Sequence, residues 1–188
     1  MLSTMDLTHD RPSSTERAQP GPRSLGAADT MARLMRHKQW ADADLLAAAL
    51  ALPAFRRYCL AGTLAKVIRH FHAVDCIFQA HLLGVPHAYT SANPAEPATL
   101  AELQKHVGTI DAWYVAYAHS LDERALAETL DVTFTDGEQQ RLTRSDILLH
   151  VSLHGAYHRG NAGILMRVGG AAPLPDRFTS YLRAEKHP

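Results

Sequence analysis

The sequence is poor in cysteine, has no long hydrophobic run and carries no excess of either charge. Its 188 residues include only two cysteines, Cys59 and Cys76, which are too few for a disulfide framework and are typical of a reducing cytoplasm. No segment approaches the roughly eighteen consecutive apolar residues of a membrane span. Basic and acidic residues number 19 each, so no bulk positive charge favours nucleic acid or an anionic membrane surface. We therefore expect a cytoplasmic protein without nucleic-acid or membrane partners.

The length and composition predict a single globular domain. A chain of this size is close to the usual size of one domain, and 46% hydrophobic residues suffice for a sizeable core. Residues 1–28 combine several prolines and charged residues with little apolar patterning, which predicts a disordered N-terminal extension. The domain itself is expected to occupy residues 29–188.

Proline-free stretches with apolar residues at spacings of three and four predict four helices. The first helix is expected over 29–52, before Pro53, and the second from Thr63 to about Gly84. The third follows a capping-box sequence at Thr99 and extends to Leu121. The fourth is expected to begin near Thr143 and to end at the glycine pair 169–170.

A short hairpin is predicted between the third and fourth helices. Leu130, Val132 and Phe134 alternate with polar residues, and Asp136-Gly137 is a turn signal. Residues 173–188 are expected to be mostly irregular. The whole pattern predicts an all-α fold, an up-down-type four-helix bundle with one long connection and a small β-hairpin before the last helix.

Histidine is the unusual residue type of this chain, with twelve copies. His150, His154 and His158 stand four residues apart on the fourth helix, so they lie on one face, one turn above another. The same face carries apolar residues, which predicts that the imidazoles point inward. A core rarely offers partners for several imidazoles, whereas a divalent cation accepts neutral imidazole nitrogens.

A second helix is needed to complete such a metal site. On the second helix, His70 shares a phase with apolar residues and is the inward candidate, while His72 lies with polar neighbours. Nitrogens from His70, His154 and His158 would leave coordination positions for water or substrate, as in a reactive centre. His150, Tyr157 and Asn161 are candidates for groups that support the ligands.

Less specific interpretations stay open for these residues. The spacing of His154 and His158 alone is equally compatible with surface histidines. Arg159 either holds an anionic group of a substrate or is simply an exposed arginine. The remaining histidines without partner spacing are expected to face solvent: His37, His81, His87, His106 and His119.

The run His154-x-x-x-His158-Arg159-Gly160-Asn161 resembles the H-x-x-x-H-R-G-Q signature of the DinB/YfiT-like metal-binding four-helix bundles. Residues 36–42 are similar to the family's Y-N-x-W-A-N segment, and residues 69–75 to its N-H-x-x-x-x-D helix. The resemblance covers residues 29–182 and selects His70 independently. The chain departs from the pattern at three positions: it has Asn161 for glutamine, His37 for tyrosine and Arg69 for asparagine.

The resemblance implies a divalent ion, most often zinc or nickel and otherwise iron or manganese, held by three histidines with water completing the shell. It also implies a homodimer. Characterised members of the family are thiol-dependent transferases or isomerases that use low-molecular-weight thiols, and many members have no known activity. We therefore expect a metal-dependent hydrolase or thiol S-transferase with a small-molecule substrate. The alternative is a non-catalytic, stress-related metal-binding module in which the ion stabilises the bundle.

Overall fold

A computed structural model describes residues 25–171 and 176–186, apart from the side chains of Phe55 and Arg57. These residues are mostly helical and include one two-stranded antiparallel sheet, as the sequence predicted. The elements in chain order are α1 (Ala27–Leu50), α2 (Ala54–Leu83), α3 (Leu100–Ser120), α4 (Glu123–Leu126), β1 (Thr129–Thr133), β2 (Gln139–Thr143), α5 (Arg144–Val168) and α6 (Phe178–Lys186).

The four long helices pack on one another around two hydrophobic clusters. Helix α1 contacts α3 and α5, and α2 contacts the same two helices. One cluster is centred on Met35, Phe78 and Tyr114, and the other on Leu45 and Phe71. One half of each long helix packs in the first cluster and the other half packs in the second. Each long helix therefore crosses once from one cluster to the other.

The order of these contributions gives the helix directions. Helices α1 and α5 begin at the first cluster and end at the second, whereas α2 and α3 run from the second to the first. Because α2 and α3 point the same way, the connection between Leu83 and Leu100 must return the chain along the length of the helices. This long connection lies beside α2, where it meets the candidate metal centre.

Helix α2 begins at Ala54 rather than at the predicted Thr63. Pro53 takes the N-cap position with φ −51°, so the proline that ends α1 also starts α2. The C-terminus agrees with the prediction, because Gly84 adopts a left-handed φ of 67° and its N–H binds the carbonyls of Ala80 and His81.

The hairpin is present where it was predicted, and it sets the start of α5. Leu130 pairs with Leu142 across the two antiparallel strands, and Gly137 has a φ of 90° in the turn. Strand β2 leads directly into a capping box, in which Thr143 Oγ1 accepts from the Asp146 N–H at 3.0 Å and Asp146 Oδ2 accepts from the Thr143 N–H at 2.9 Å.

The expectation of an irregular tail is wrong for α6. Tyr181 of this helix is buried, with its ring 5.7 Å from that of His37 and 6.0 Å from that of Trp40. Aromatic packing against α1 thus stabilises a helix too short to be stable alone. The predicted N-terminal extension lies outside the described residues up to position 24, and Ala27 and Ala28 already belong to α1. None of the described helices is both long and apolar enough to cross a bilayer.

Candidate metal centre

Three histidine side chains converge where α2 faces α5. His154 Nε2 lies 3.2 Å from His70 Nε2 and 3.1 Å from His158 Nε2. The rings of His70 and His158 are edge to face, with centroids 4.5 Å apart. All three side chains are half-buried, so they lie at the edge of the helix interface rather than in the core that the helical phase suggested. We refer to them as the histidine triad.

The long connection between α2 and α3 orients the His70 ring of the triad. His70 Nδ1 lies 3.0 Å from the carbonyl oxygen of Ala92 in that connection. A carbonyl can only accept, so Nδ1 carries the proton and Nε2 presents its lone pair to the other two rings. Histidines that bind metals are commonly held by such a carbonyl, which fixes both the tautomer and the direction of the ring.

The surroundings lower the pKa of two of these imidazoles, those of His154 and His158. Burial is the main cause that lowers the pKa of His154 to about 3, and the neighbouring His158 and His150 lower it further. The pKa of His158 is also lowered, by burial and by His70. Neutral imidazoles have the free lone pair that a metal needs, so no proton has to leave at neutral pH before an ion binds.

The donor set and its spacing fit a divalent ion. Bonds of about 2.0–2.1 Å to an imidazole nitrogen place neighbouring ligand atoms roughly 2.8–3.4 Å apart for octahedral to tetrahedral angles. The two Nε2 separations above fall inside this interval. Without an ion, three Nε2 atoms face one another and His154 Nδ1 is buried without a hydrogen-bond partner among the described residues. The geometry is therefore compatible with a group of ligands that could hold a divalent ion.

Comparison with known proteins agrees with this geometry. The family model described as "DinB family" matches residues 27–187. The chain belongs to the DinB family. No curated protein matches the chain significantly, and neither does any solved structure. Membership of the DinB family and the histidine triad are together compatible with metal binding.

The other predicted residues of this DinB protein surround the triad without joining it. His150 is exposed, and its ring stacks on that of His154 at a centroid distance of 5.4 Å. Tyr157 is 68% exposed and lies edge-on to the His158 ring at 5.0 Å. Asn161 is half-buried one helical turn further along α5. Their support of the ligands stays a prediction.

Beside the triad lies a buried group of charges that the sequence analysis missed. Lys38 Nζ contacts three carboxylates, those of Asp42 at 2.7 Å, Asp75 at 2.8 Å and Asp111 at 2.5 Å. Lys38, Asp42 and Asp75 are completely buried, and Asp111 is 2% exposed. These four residues and Arg159, called here the ion-pair cluster, lie where the helices pass between the two hydrophobic clusters.

Arg159 belongs to this cluster and is not an exposed arginine. It is 3% exposed, its Nη1 donates to Asp42 Oδ1 at 2.8 Å and its Nε donates to Asp176 Oδ2 at 2.8 Å. His37 is also buried rather than solvent-facing, and its Nε2 lies 3.5 Å from Asp176 Oδ1. The i,i+4 pair of Lys38 and Asp42 was a visible signal, but such pairs more often lie on a solvated helix face.

The electrostatics of the cluster follow from its composition, because three carboxylates meet the two cations Lys38 and Arg159. Burial raises the pKa of Asp111 to about 8 and that of Asp75 to about 6, against the opposing effect of Lys38. Although burial also acts to raise the pKa of Asp42, contact with both Lys38 and Arg159 holds it below 3.8. Asp42 is therefore the central anion, and Asp111 keeps its proton at neutral pH.

Proposed function

We propose that His70, His154 and His158 bind one divalent ion and that the protein is a metal-dependent enzyme of the hydrolase or thiol S-transferase type. The observation that carries the proposal is the convergence of three imidazole Nε2 atoms at a half-buried position. Three protein ligands leave room for water or a substrate, unlike a closed structural site. Zinc and nickel suit imidazole ligands best, with iron or manganese as alternatives.

The proposed substrate is a small molecule, a low-molecular-weight thiol in particular. A bound divalent ion lowers the pKa of a coordinated thiol and so supplies a thiolate nucleophile at neutral pH. The chain's own contribution is orientation, because the Ala92 carbonyl fixes the His70 ring and leaves its Nε2 aimed at the open side. Tyr157 flanks that side with an exposed phenol beside His158.

Metal content per chain tests the ligand assignment. The wild type and the variants His70→Ala, His154→Ala and His158→Ala are purified without a histidine tag and analysed for metal. The matched control is His106→Ala, which removes an exposed imidazole of α3 that does not contact the triad. We expect about one ion per chain in the wild type and the control and a loss in each triad variant. Retention of metal by all three variants refutes the site.

Cobalt spectroscopy tests the thiol. The cobalt-substituted protein is titrated with cysteine as a probe thiol and with serine as its hydroxyl counterpart. We expect a thiolate-to-cobalt charge-transfer band with cysteine only. If the spectrum does not change with cysteine or any other thiol, and no turnover is found with electrophiles, the thiol-transferase proposal fails while the metal site stands.

A second function, a non-catalytic and stress-related metal-binding module, is favoured by the placement of the ligands. His70 and His154 are separated by 84 residues and belong to different helices, so an ion would link α2 to α5. Binding to the folded state alone stabilises it by about 2.7 kcal/mol at one hundred times the Kd. A large rise in melting temperature with metal, but no binding of any thiol, would favour this role.

The proposal extends to the arrangement of the helices and to the oligomeric state. We infer that the four long helices form a four-helix bundle in which α1 and α5 run one way and α2 and α3 the other, so that the long connection breaks the alternation of the predicted up-down type. Helix α5 presents an exposed apolar stripe, which a partner copy would cover in a cytoplasmic homodimer without nucleic acid or membrane partners; its residues are Leu153, Tyr157, Ile164 and Val168.

The dimer is tested by mass in solution. The double variant Leu153→Glu, Ile164→Glu should convert a dimer to a monomer in light scattering, because two buried charges would oppose association. The control is Leu83→Glu, which changes an equally exposed apolar residue at the end of α2. A wild type that is monomeric at all concentrations would overturn this part of the proposal.

A further inference from the structure

A cavity lies on the flank of α5 that faces away from the histidine triad. It has a volume of about 300 Å³ and is bounded by α1 and α5 together with Asp176. At 100° per residue, Gly160 and Gly163 of its wall are about half a turn away from His158 and His154. The cavity therefore belongs to neither the proposed metal centre nor its open coordination positions.

Two charged residues in the walls of this cavity have no ion-pair partner among the described residues. Asp44 of α1 and Arg167 of α5 both line it, and neither makes an ion pair with the residues that the structure describes. They have opposite charges, yet they do not reach each other across the cavity. Arg159 also lines it, and its Nη2 is buried with no hydrogen-bond partner among the described residues.

We propose that this cavity binds a small zwitterion that carries both an amine and a carboxylate. The carboxylate of the ligand accepts from Arg167, and its ammonium group pairs with Asp44. Trp40 and Leu45 give the cavity an apolar wall for the ligand's carbon chain. The volume is at the lower end of small-molecule sites, which restricts the ligand to the size of an amino acid.

The distribution of charge selects a zwitterion over a simple ion. The charge of Arg159 is already compensated by Asp42 and Asp176, both at 2.8 Å. The charged groups left to a ligand are therefore the Arg167 guanidinium and the Asp44 carboxylate. A simple anion would leave Asp44 unpaired and face two carboxylates, and a simple cation would leave Arg167 unpaired. Only a ligand with both charges satisfies the two walls at once.

Two wall residues make the cavity easy to block. A Cβ built on Gly160 or on Gly163 meets no atom within 4 Å, so a larger side chain at either position projects into free space. Leucine there also has a better helix propensity than glycine. Gly108 of α3 is likewise open to a Cβ and is remote from the cavity, so Gly108→Leu is the matched control.

The test uses fluorine NMR of protein labelled with 5-fluorotryptophan. The chain has two tryptophans, of which Trp40 lines the cavity and Trp113 stacks on Tyr117 in α3 at 4.8 Å. The probes are glycine, γ-aminobutyrate and 6-aminohexanoate, with butyrate and butylamine as counterparts of single charge. We expect at least one zwitterion to shift the Trp40 signal saturably, at least tenfold more tightly than butyrate or butylamine, while Trp113 does not respond.

The variants decide where the probe binds. Gly163→Leu should weaken that binding at least tenfold, whereas Gly108→Leu should bind as the wild type does. If Gly163→Leu fails to fold by circular dichroism, Gly160→Leu takes its place. Binding that survives the blocked cavity, equal binding of butyrate or butylamine, or no response to any of the three zwitterions overturns the proposal. Metal content is measured in parallel and should not change, because the two sites are separate.

Discussion

Asp111 and Asp42 contact the same lysine, yet their replacement by asparagine should have opposite consequences. Asp111 Oδ1 lies 2.5 Å from Lys38 Nζ, and Asp42 Oδ2 lies 2.7 Å from it. Burial raises the pKa of Asp111 to about 8, so this residue is already neutral at neutral pH and asparagine imitates it. Asp42 is ionised and compensates both Lys38 and Arg159. Removal of the Asp42 charge would leave the buried cations Lys38 and Arg159 without this compensating carboxylate.

The magnitude for Asp111 follows from proton linkage. Its pKa is about 8 in the folded protein and 3.8 ordinarily, so the folded state binds the extra proton and loses stability as the pH rises across this interval. One proton changes the free energy of unfolding by about 1.4 kcal/mol per pH unit. Between pH 5 and pH 8 the Asp111→Asn variant should therefore gain up to about 4 kcal/mol relative to the wild type. Asp42→Asn should cost about 3–5 kcal/mol at both pH values.

The assay is urea unfolding of the wild type and the two variants at pH 5 and pH 8, with a chelator present so that metal does not contribute. Histidines titrate in all three proteins, so their contribution cancels in the differences. If Asp111→Asn has the same stability relative to the wild type at both pH values, the assignment of the buried proton to Asp111 is wrong. If Asp42→Asn costs less than Asp111→Asn, the description of Asp42 as the central anion is wrong.

Two smaller predictions concern the packing around the ion-pair cluster. A Cβ on Gly155 would lie 3.1 Å from Arg159 Nη1, which its ion pair with Asp42 holds in place, so Gly155→Ala should destabilise by roughly 1–3 kcal/mol, while Gly108→Ala, with nothing within 4 Å, should stabilise by about 1 kcal/mol. Equal effects in urea unfolding would show that Arg159 is free to move. Tyr114→Phe removes the hydrogen bond from the buried hydroxyl to the Asp75 carbonyl oxygen at 2.7 Å and should cost roughly 1–3 kcal/mol. An unchanged unfolding midpoint would contradict that value.

The sequence predicted the secondary structure wherever local signals were strong. The capping sequences at Thr99 and Thr143 and the alternation around Val132 all correspond to observed elements. The start of α2 was misplaced, because Pro53 was taken as a helix end and its favourable role at a helix start was overlooked. Helix α6 was missed because its stability comes from packing against α1, which local periodicity does not contain.

In the candidate site, too, local patterns predicted some residues and failed for those that only tertiary packing brings together. The i,i+4 spacing of His154 and His158 and the phase of His70 were sufficient to select three residues that the structure brings together. The ion-pair cluster could not be predicted because it joins residues of four helices: Lys38 and Asp42 have a spacing that is more common on a solvated helix face, and Asp111 lies among the apolar residues of α3. Only the packing of the helices shows that these charges share one position.

The burial of Lys38 also makes it a natural reporter of unfolding. The chain has four lysines, and the amine of Lys38 is fully enclosed whereas Lys66 and Lys105 are exposed. An amine-reactive reagent can acylate Lys38 only when the helices separate, so its labelling rate measures opening of the domain without any engineered probe. The exposed lysines, labelled in the same sample, calibrate the reagent.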